Sequence, residues 1–291
     1  MSATPAAVRD AVPEGLVDLH THFLPERVLR KVWAFFDRAE THYGVAWPVH
    51  YRLPEEERVR TLADLGVTTF APLVYAHRPG MAAWLNDWVA GFAARTPGAV
   101  PTATVFAEPG AEDYLAAALT RGARVVKVHV QVGGFDPRDA VLDRSWGLLA
   151  EAGVPVVVHC GDGPVPGAHT GLQVFEEVLR RHPRLVAVLA HAGMPDYAGA
   201  LALVARYPRV HLDTTMVGTA FTEALAPLPP DWAARLADVG DRIVLGSDFP
   251  NIPYPYGEQL DAIHRWSRAP GLGRAFLRAV LRENGLSLLA T

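Results

Sequence analysis

Short runs of apolar, mostly β-branched residues alternate along the chain with longer segments in which apolar residues recur every three or four positions. The short runs are typical of buried parallel strands, and the longer segments are typical of helices that bury one face. Eight strands are predicted: Leu16–His20, Val67–Tyr75, Val100–Phe106, Val125–Val130, Val154–His159, Val186–His191, Val210–Thr214 and Ile243–Ser247. The predicted helices include Glu55–Leu65, Met81–Arg95, Ala111–Arg121, Leu142–Ala152, Leu172–Arg181, Tyr197–Arg206 and Trp232–Val239.

Strand followed by helix, repeated eight times, predicts a closed (β/α)8 TIM barrel, because parallel strands need crossover connections and eight units fit about 250 residues. An open doubly wound sheet is the rival, but its Gly-rich turn after the first strand is absent. No linker or repeat divides the chain, so a single domain over 1–291 is predicted, with its core at about 16–286. The irregular stretches Thr41–Pro54 and Pro250–Gly257 are predicted to be loops at the barrel mouth.

Composition narrows the class of partner. Half of the residues are hydrophobic, the net charge is −4 and the pI is near 6.3. No block of Lys and Arg stands out, which argues against nucleic acid and anionic membrane surfaces as partners. The single cysteine, Cys160, excludes an internal disulfide and suits a reducing compartment. With no signal peptide and no apolar run of roughly 20 residues visible, a cytoplasmic protein that acts on small molecules is predicted.

Histidine and aspartate stand at the ends of four predicted strands. His20 and His22 share one face of an extended strand and can bind one metal ion, although twelve histidines in 291 residues make such a pair weak evidence alone. His159, His191 and Asp248 follow apolar runs of three other strands. The carboxyl ends of barrel strands share one rim, so these five side chains are expected to converge on one cavity. Imidazole and carboxylate ligands suit zinc, and a metal site is therefore predicted.

Further candidates lie near the same rim. Lys127 and His129 share the inward face of the fourth strand if alternation holds, but Lys127 could extend to solvent and His129 could be a hydrogen-bonded barrel residue. Arg52, in the first long loop, could bind a carboxylate with both guanidinium nitrogens. Tyr75 and Glu108 follow the second and third strands. Arg52, Tyr75 and Glu108 are weaker candidates for substrate binding, since each could also be an ordinary loop residue.

Five segments together resemble the amidohydrolase superfamily. They are His20-Thr21-His22-Phe23-Leu24-Pro25, Val126-Lys127-Val128-His129, Val158-His159-Cys160-Gly161, His191-Ala192-Gly193 and Gly246-Ser247-Asp248-Phe249-Pro250. More narrowly, the chain resembles the amidohydrolase-related (type 2) branch, which includes aminocarboxymuconate-semialdehyde decarboxylase. The resemblance covers Leu16 to Pro250 and implies a metal-bearing barrel, usually with zinc, that binds substrate at the C-terminal rim. It leaves the reaction open, because the branch includes hydrolases, lactonases and non-oxidative decarboxylases.

Donor chemistry and this resemblance lead to an assignment of roles. His20, His22, His159 and Asp248 are expected to bind one divalent ion, with zinc the first choice, and to leave a position open for water. Such an ion lowers the pKa of its water to about 7. Asp248 is expected to take the proton of that water, and His191 to polarise the substrate oxygen or move protons.

The number of metal ions depends on Lys127. In two-metal members of the superfamily, a lysine of the fourth strand is carboxylated and bridges both ions, and the counterpart of His191 binds the second ion. The decarboxylase-like branch uses one metal, so one ion is favoured here and a binuclear site with carboxylated Lys127 is the alternative. An uncarboxylated Lys127, or His129, could instead pair with an anionic group of the substrate.

Two reactions follow from these expectations. The first is hydrolysis of a C–N or C–O bond (amide, cyclic amide or lactone) in a small, anionic substrate through a metal-activated water. The alternative is non-oxidative decarboxylation of an unsaturated or aromatic carboxylic acid at the same mononuclear site. A barrel without catalytic function is disfavoured, because all five expected metal and catalytic positions are filled. The family resemblance would also fit a homodimer.

Overall fold

Eight parallel strands surround one axis in a computed structural model that describes residues 4–290. The strands are β1 Leu16–Thr21, β2 Val67–Pro72, β3 Thr102–Thr104, β4 Val125–His129, β5 Val156–His159, β6 Ala187–Leu189, β7 Val210–Asp213 and β8 Ile243–Val244. Strand β1 pairs with β2, and β3 to β8 pair in chain order. Residues 1–3 and 291 of the predicted domain lie outside the described part.

Backbone hydrogen bonds close these two sets of strands into a ring. Val100 N donates to Phe70 O at 2.8 Å, which joins β2 to the segment that leads into β3. Leu19 N donates to Leu245 O at 2.9 Å, which joins β1 to the residue that follows β8. The predicted single-domain (β/α)8 barrel is therefore confirmed.

Helices connect the strands and cover the outside of the ring. They are α1 Ala6–Ala11, α2 Glu26–Phe36, α3 Ala39–Tyr43, α4 Glu55–Asp64, α5 Ala82–Arg95, α6 Ala111–Thr120, α7 Val130–Gly133, α8 Asp143–Ala152, α9 Leu172–Arg181, α10 Tyr197–Arg206, α11 Ala220–Glu223, α12 Trp232–Arg235, α13 Gly257–Trp266, α14 Gly273–Arg278 and α15 Asn284–Leu289. Shorter 3₁₀ or π turns lie at Ala140–Leu142, Ala190–Gly193, Leu236–Asp238, Gly240–Arg242 and Ala279–Glu283. No helix among residues 4–290 combines the length and apolarity needed to cross a bilayer.

Several predicted strands were too long at their carboxyl ends. Strand β8 stops at Val244, and Asp248, a little further along, adopts a left-handed conformation with φ of 67°. Strand β6 stops at Leu189, where the chain enters the short turn Ala190–Gly193, in which His191 has φ of 55°. Apolar content alone gave no sign of these turns. The stretch predicted as a loop from Thr41 also begins inside α3, which ends at Tyr43 and is capped by Gly44.

Alternate residues of the strands separate the barrel interior from the layer under the helices. Val126 and Val128 belong to the large outer cluster, whereas Val125 belongs to a smaller one inside the ring. The interior cluster comprises Val17, Leu19, Ala71, Leu73, Val125, Val157, Val186, Val188, Ala190, Val244, Leu288 and Leu289. The last two come from α15, which packs against the start of β1 and so closes the end of the barrel opposite the strand carboxyl ends.

This closure predicts opposite effects for the same substitution in two helices. A Cβ at Gly285 of α15 would lie 2.9 Å from Cγ1 of the fully buried Val17, whereas a Cβ at Gly147 of α8 would meet no atom within 4 Å. Gly285→Ala should lower the free energy of unfolding by about 1–2 kcal/mol through overpacking. The matched control Gly147→Ala should raise it by about 0.5–1 kcal/mol through helix propensity. Urea unfolding followed by circular dichroism measures both, and a stabilised Gly285→Ala would contradict this packing.

Candidate metal centre and active site

The end of β1 departs from regular strand geometry. The pairing of β1 with β2 shifts register between Asp18 and Thr21. Leu19 belongs to the interior cluster, and the next side chain, His20, also contacts groups inside the barrel. Register irregularities of this kind are common beside active sites, where they redirect side chains. The prediction from simple alternation placed His20 and His22 on one face, but it did not foresee this irregularity.

His20 is held between partners at both ring nitrogens. Its Nδ1 lies 2.8 Å from Asp213 Oδ2, and its Nε2 lies 3.0 Å from Lys127 Nζ. Burial, with the charge of Lys127 beside it, lowers the pKa of His20 to about 3, so the ring is neutral. The neutral ring donates Nδ1–H to the carboxylate, and its Nε2 therefore carries the lone pair that faces the cavity.

His22 presents the same nitrogen to the same cavity. Its Nδ1–H donates to Leu73 O at 2.9 Å, and its Nε2 lies 2.9 Å from Asp248 Oδ1. A hydrogen bond from the second ring nitrogen is the usual way in which proteins orient a metal-binding histidine. Asp248 Oδ1 is also 3.4 Å from Nε2 of His20. One carboxylate oxygen therefore faces two imidazole Nε2 atoms.

Asp248 reaches this position because its backbone is left-handed, which is uncommon for a residue other than glycine. Its N–H donates to His20 O at 2.8 Å. Burial alone would raise the pKa of Asp248, but its contacts with His22 and His20 outweigh burial and hold that pKa well below its usual range. Gly246 comes just before, and a Cβ there would lie 2.2 Å from Thr215 Oγ1. Only glycine fits at that point.

These residues suit a divalent cation. Donor atoms of His20, His22 and Asp248 lie within 4.8 Å of one another. The two Nδ1–H groups are already donated to Asp213 and Leu73, so the Nε2 atoms of both rings face the ionised carboxylate of Asp248. A divalent cation fits between these three donor groups, and two imidazoles with one carboxylate form a ligand set typical of zinc.

His159, the fourth predicted ligand, lies in the same cavity but outside that group of three. Its Nε2 donates to Gly163 O at 3.0 Å, which leaves the lone pair on Nδ1. Its ring stacks on His129, with centroids 4.1 Å apart, and lies 4.7 Å from the ring of His191. Burial lowers the pKa of His159 and of His129 well below the usual value, so both rings are neutral. A metal-binding role for His159 stays a prediction.

The inward orientation predicted for Lys127 and His129 matches the structure. Lys127 is fully buried, and burial lowers its pKa to about 8 despite the nearby charges of Asp213 and Asp248. The Nδ1 of His129 accepts a hydrogen bond from Val132 N at 3.3 Å, at the start of α7. Both side chains therefore line the cavity, and the hydrogen bond from Val132 N also ties the His129 ring to the start of α7.

His191 is buried beside the candidate metal ligands. Its side chain is 7% exposed, and its Nδ1 has no hydrogen-bond partner among residues 4–290. Burial lowers the pKa of this imidazole below its usual value. Its ring centroid is 5.4 Å from that of His20. A buried nitrogen without a partner, next to the candidate metal ligands, is available to a substrate atom.

Asp213, at the end of β7, belongs to the same cluster but was not among the site residues predicted from the sequence. It accepts hydrogen bonds from His20 Nδ1, from His191 N at 2.8 Å and from Thr215 N at 3.1 Å. Burial would raise the pKa of Asp213, but the neighbouring His20 outweighs it and lowers the pKa to about 2. The available signal was its position at the end of the seventh predicted strand, the same signal that identified His159 and Asp248.

The three weaker candidates occupy different surroundings. The Tyr75 ring lies 5.1 Å from that of His22 and 5.3 Å from that of His129, and burial raises the pKa of its phenol. Glu108 accepts a hydrogen bond from Gly80 N at 2.6 Å and so joins two loops. Arg52 pairs with Asp37 on the exposed surface. Only Tyr75 is brought into contact with the histidine cluster, and substrate binding by all three stays a prediction.

A model of the amidohydrolase family matches residues 17–290 of the chain. The chain belongs to the amidohydrolase family. This match confirms the resemblance to the type 2 branch drawn from the motifs, and it extends that resemblance to the last helix. No curated protein sequence matches this amidohydrolase.

Solved structures share the fold of this amidohydrolase at low sequence identity. An uncharacterized TIM-barrel protein from Bordetella bronchiseptica is 19% identical, with a TM-score of 0.73 over 94% of this chain and 98% of that chain. A 5-carboxyvanillate decarboxylase from Novosphingobium aromaticivorans with bound manganese is 14% identical, with a TM-score of 0.62 over 99% of each chain. A probable 2-pyrone-4,6-dicarboxylic acid hydrolase from Acinetobacter baumannii is 12% identical, with a TM-score of 0.59 over 95% of this chain and 100% of that chain. At such identities the similarity establishes the fold alone.

Proposed function

We propose that this amidohydrolase is a metal-dependent hydrolase that cleaves a C–N or C–O bond of a small, anionic substrate. The observation that carries the proposal is the convergence of two imidazole Nε2 atoms on the ionised Asp248. His20, His22 and Asp248 would hold one divalent ion, with His159 the predicted fourth ligand and Zn²⁺ the proposed metal. Such an ion supplies a water of lowered pKa and polarises a substrate oxygen.

The protein's own groups are suited to the proton transfers of hydrolysis. The Asp248 carboxylate is ionised and can accept a proton in the cavity. The unpartnered Nδ1 of His191 can exchange a proton with the leaving group. Lys127 and the neutral rings of His129 and His159 line the same cavity, where they can contact an anionic group of the substrate.

The alternative is non-oxidative decarboxylation of an unsaturated or aromatic acid. The observation that favours it is the same buried Nδ1 of His191, which could hold a proton destined for a substrate carbon as well as for a leaving group. Solved structures of this fold include a decarboxylase and a probable hydrolase, so the fold supports both reactions.

The metal content of the purified protein tests the proposal that the chain binds one divalent ion. Protein purified without chelators should contain about one equivalent of divalent metal per chain by inductively coupled plasma mass spectrometry. His22→Gln should lose most of it, because one of the converging imidazole nitrogens is removed, while His50→Gln, at an exposed residue, should retain it. Protein with almost no metal would contradict the proposed function. Two equivalents, with a carboxylated Lys127, would replace the one-metal site by the binuclear alternative.

The role of Asp248 is tested by Asp248→Asn. The amide cannot accept a proton, so turnover should fall by about 10²–10⁴-fold while the circular dichroism spectrum stays unchanged. Asp64→Asn, on the exposed end of α4, serves as the control and should keep wild-type turnover. If Asp248→Asn retained most of the activity, another group would have to be the base.

A substrate panel separates the two reactions. Lactones, cyclic amides and unsaturated or aromatic carboxylic acids are incubated with the metal-loaded enzyme, and both acid release and carbon dioxide release are measured. Ring opening or amide cleavage without carbon dioxide is the expected result. Carbon dioxide release, with no activity on lactones or amides, would establish the decarboxylase instead.

A further inference from the structure

Asp213 joins the two parts of the proposed active site. It is 1% exposed, and its two oxygens have different partners. Oδ2 lies 2.8 Å from His20 Nδ1, whereas Oδ1 accepts the backbone N–H groups of His191 and Thr215. The first of these N–H groups belongs to His191, whose backbone is left-handed with φ of 55°. One carboxylate therefore contacts a candidate metal ligand and supports the turn that carries the candidate proton donor.

The opposite side of the His20 ring supplies independent evidence for its tautomer. Lys127 Nζ lies 3.0 Å from His20 Nε2, and an ammonium group can only donate. His20 Nε2 must then be the acceptor, which places the ring hydrogen on Nδ1. Asp213, an acceptor at Nδ1, requires the same arrangement. The two neighbours agree: the Nε2 lone pair of His20 faces Lys127, and a metal ion bound at this nitrogen would take the place of the Lys127 hydrogen bond.

We infer that Asp213 is a positioning residue that fixes His20 in the Nδ1–H tautomer and so sets the metal affinity of the site. This inference rests on the proposed function, because it assigns metal binding to His20. Partners that fix the tautomer of a ligand histidine typically change metal affinity by 10–100-fold when they are replaced. Asp213 would act through His20 and would not touch the substrate.

Asp213→Asn isolates this role, because the shape of the side chain is kept. The amide oxygen can stay with the two backbone N–H groups, and the amide nitrogen then faces His20 Nδ1. Because that nitrogen donates, His20 must move its hydrogen to Nε2 and lose the Nε2 lone pair. The dissociation constant for Zn²⁺, measured by competition with a chromophoric chelator, should rise by about 10–100-fold.

The tautomer itself is read by ¹⁵N NMR of metal-free protein labelled only at histidine. The His20 signals are assigned by their loss in His20→Gln. Wild-type protein should show protonated Nδ1 and unprotonated Nε2, and Asp213→Asn should show the reverse. The wild-type measurement does not depend on whether Asp213→Asn folds, and an Nε2–H tautomer there would overturn the inference.

Thr215→Val is the matched control. It removes the hydroxyl that lies 3.0 Å from His20 Nδ1 but introduces no donor. The tautomer should stay unchanged and the Zn²⁺ affinity should change by less than about threefold. Asp213→Asn with wild-type affinity and an unchanged tautomer would overturn the inference. If wild-type protein bound no Zn²⁺, the proposed function would fail, while the tautomer measurement would still decide whether Asp213 orients His20.

Discussion

The carbonyl oxygen of His20 accepts hydrogen bonds from Ser247 N at 3.2 Å and from Asp248 N at 2.8 Å, and the rest of the structure depends on this contact. It helps to close the barrel, because it ties the segment after β8 to β1 beyond the last paired residues. It also fixes where Asp248 lies, because the N–H of Asp248 is one of the two donors and the backbone of that residue is left-handed. The same two hydrogen bonds therefore complete the sheet and bring the carboxylate to His22.

Buried polar groups support this junction from behind. Asp18 accepts hydrogen bonds from His20 N at 3.0 Å, from Ser247 Oγ at 2.5 Å and from Tyr256 OH at 2.8 Å. Burial raises the pKa of Asp18 to about 7 in spite of these bonds. Every partner of Asp18 is a residue of β1, of the turn after β8 or of the loop that leads into α13. A buried acceptor bonded on three sides restricts the positions of these segments relative to one another, as metal-ligand geometry requires.

The fold and the outline of the site were predictable from the sequence because both depend on periodic patterns. Alternation along β4 and β5 places Lys127 and His159 inward and Val126 and Val158 outward. The local departures were not predictable from those patterns. The register shift in β1 and the left-handed turns at His191 and Asp248 depend on contacts between distant strands, and no run of apolar residues encodes them. Asp213 stood at a predicted strand end, but its importance comes from its contacts with His20 and His191.

The charges inside the cavity bear on the kind of substrate it would accept. His20, His129, His159 and His191 are neutral because burial disfavours their charged forms. Among the other charged groups of the site, the ionised Asp213 and Asp248 exceed the single ammonium of Lys127 by one negative charge. A divalent ion would reverse that balance to one positive charge. Because an unpaired charge in a buried cavity is costly, a metal-loaded site would favour a substrate with one negative group near the metal. The same balance disfavours an anionic substrate in the metal-free cavity, so substrate binding is expected to depend on metal binding.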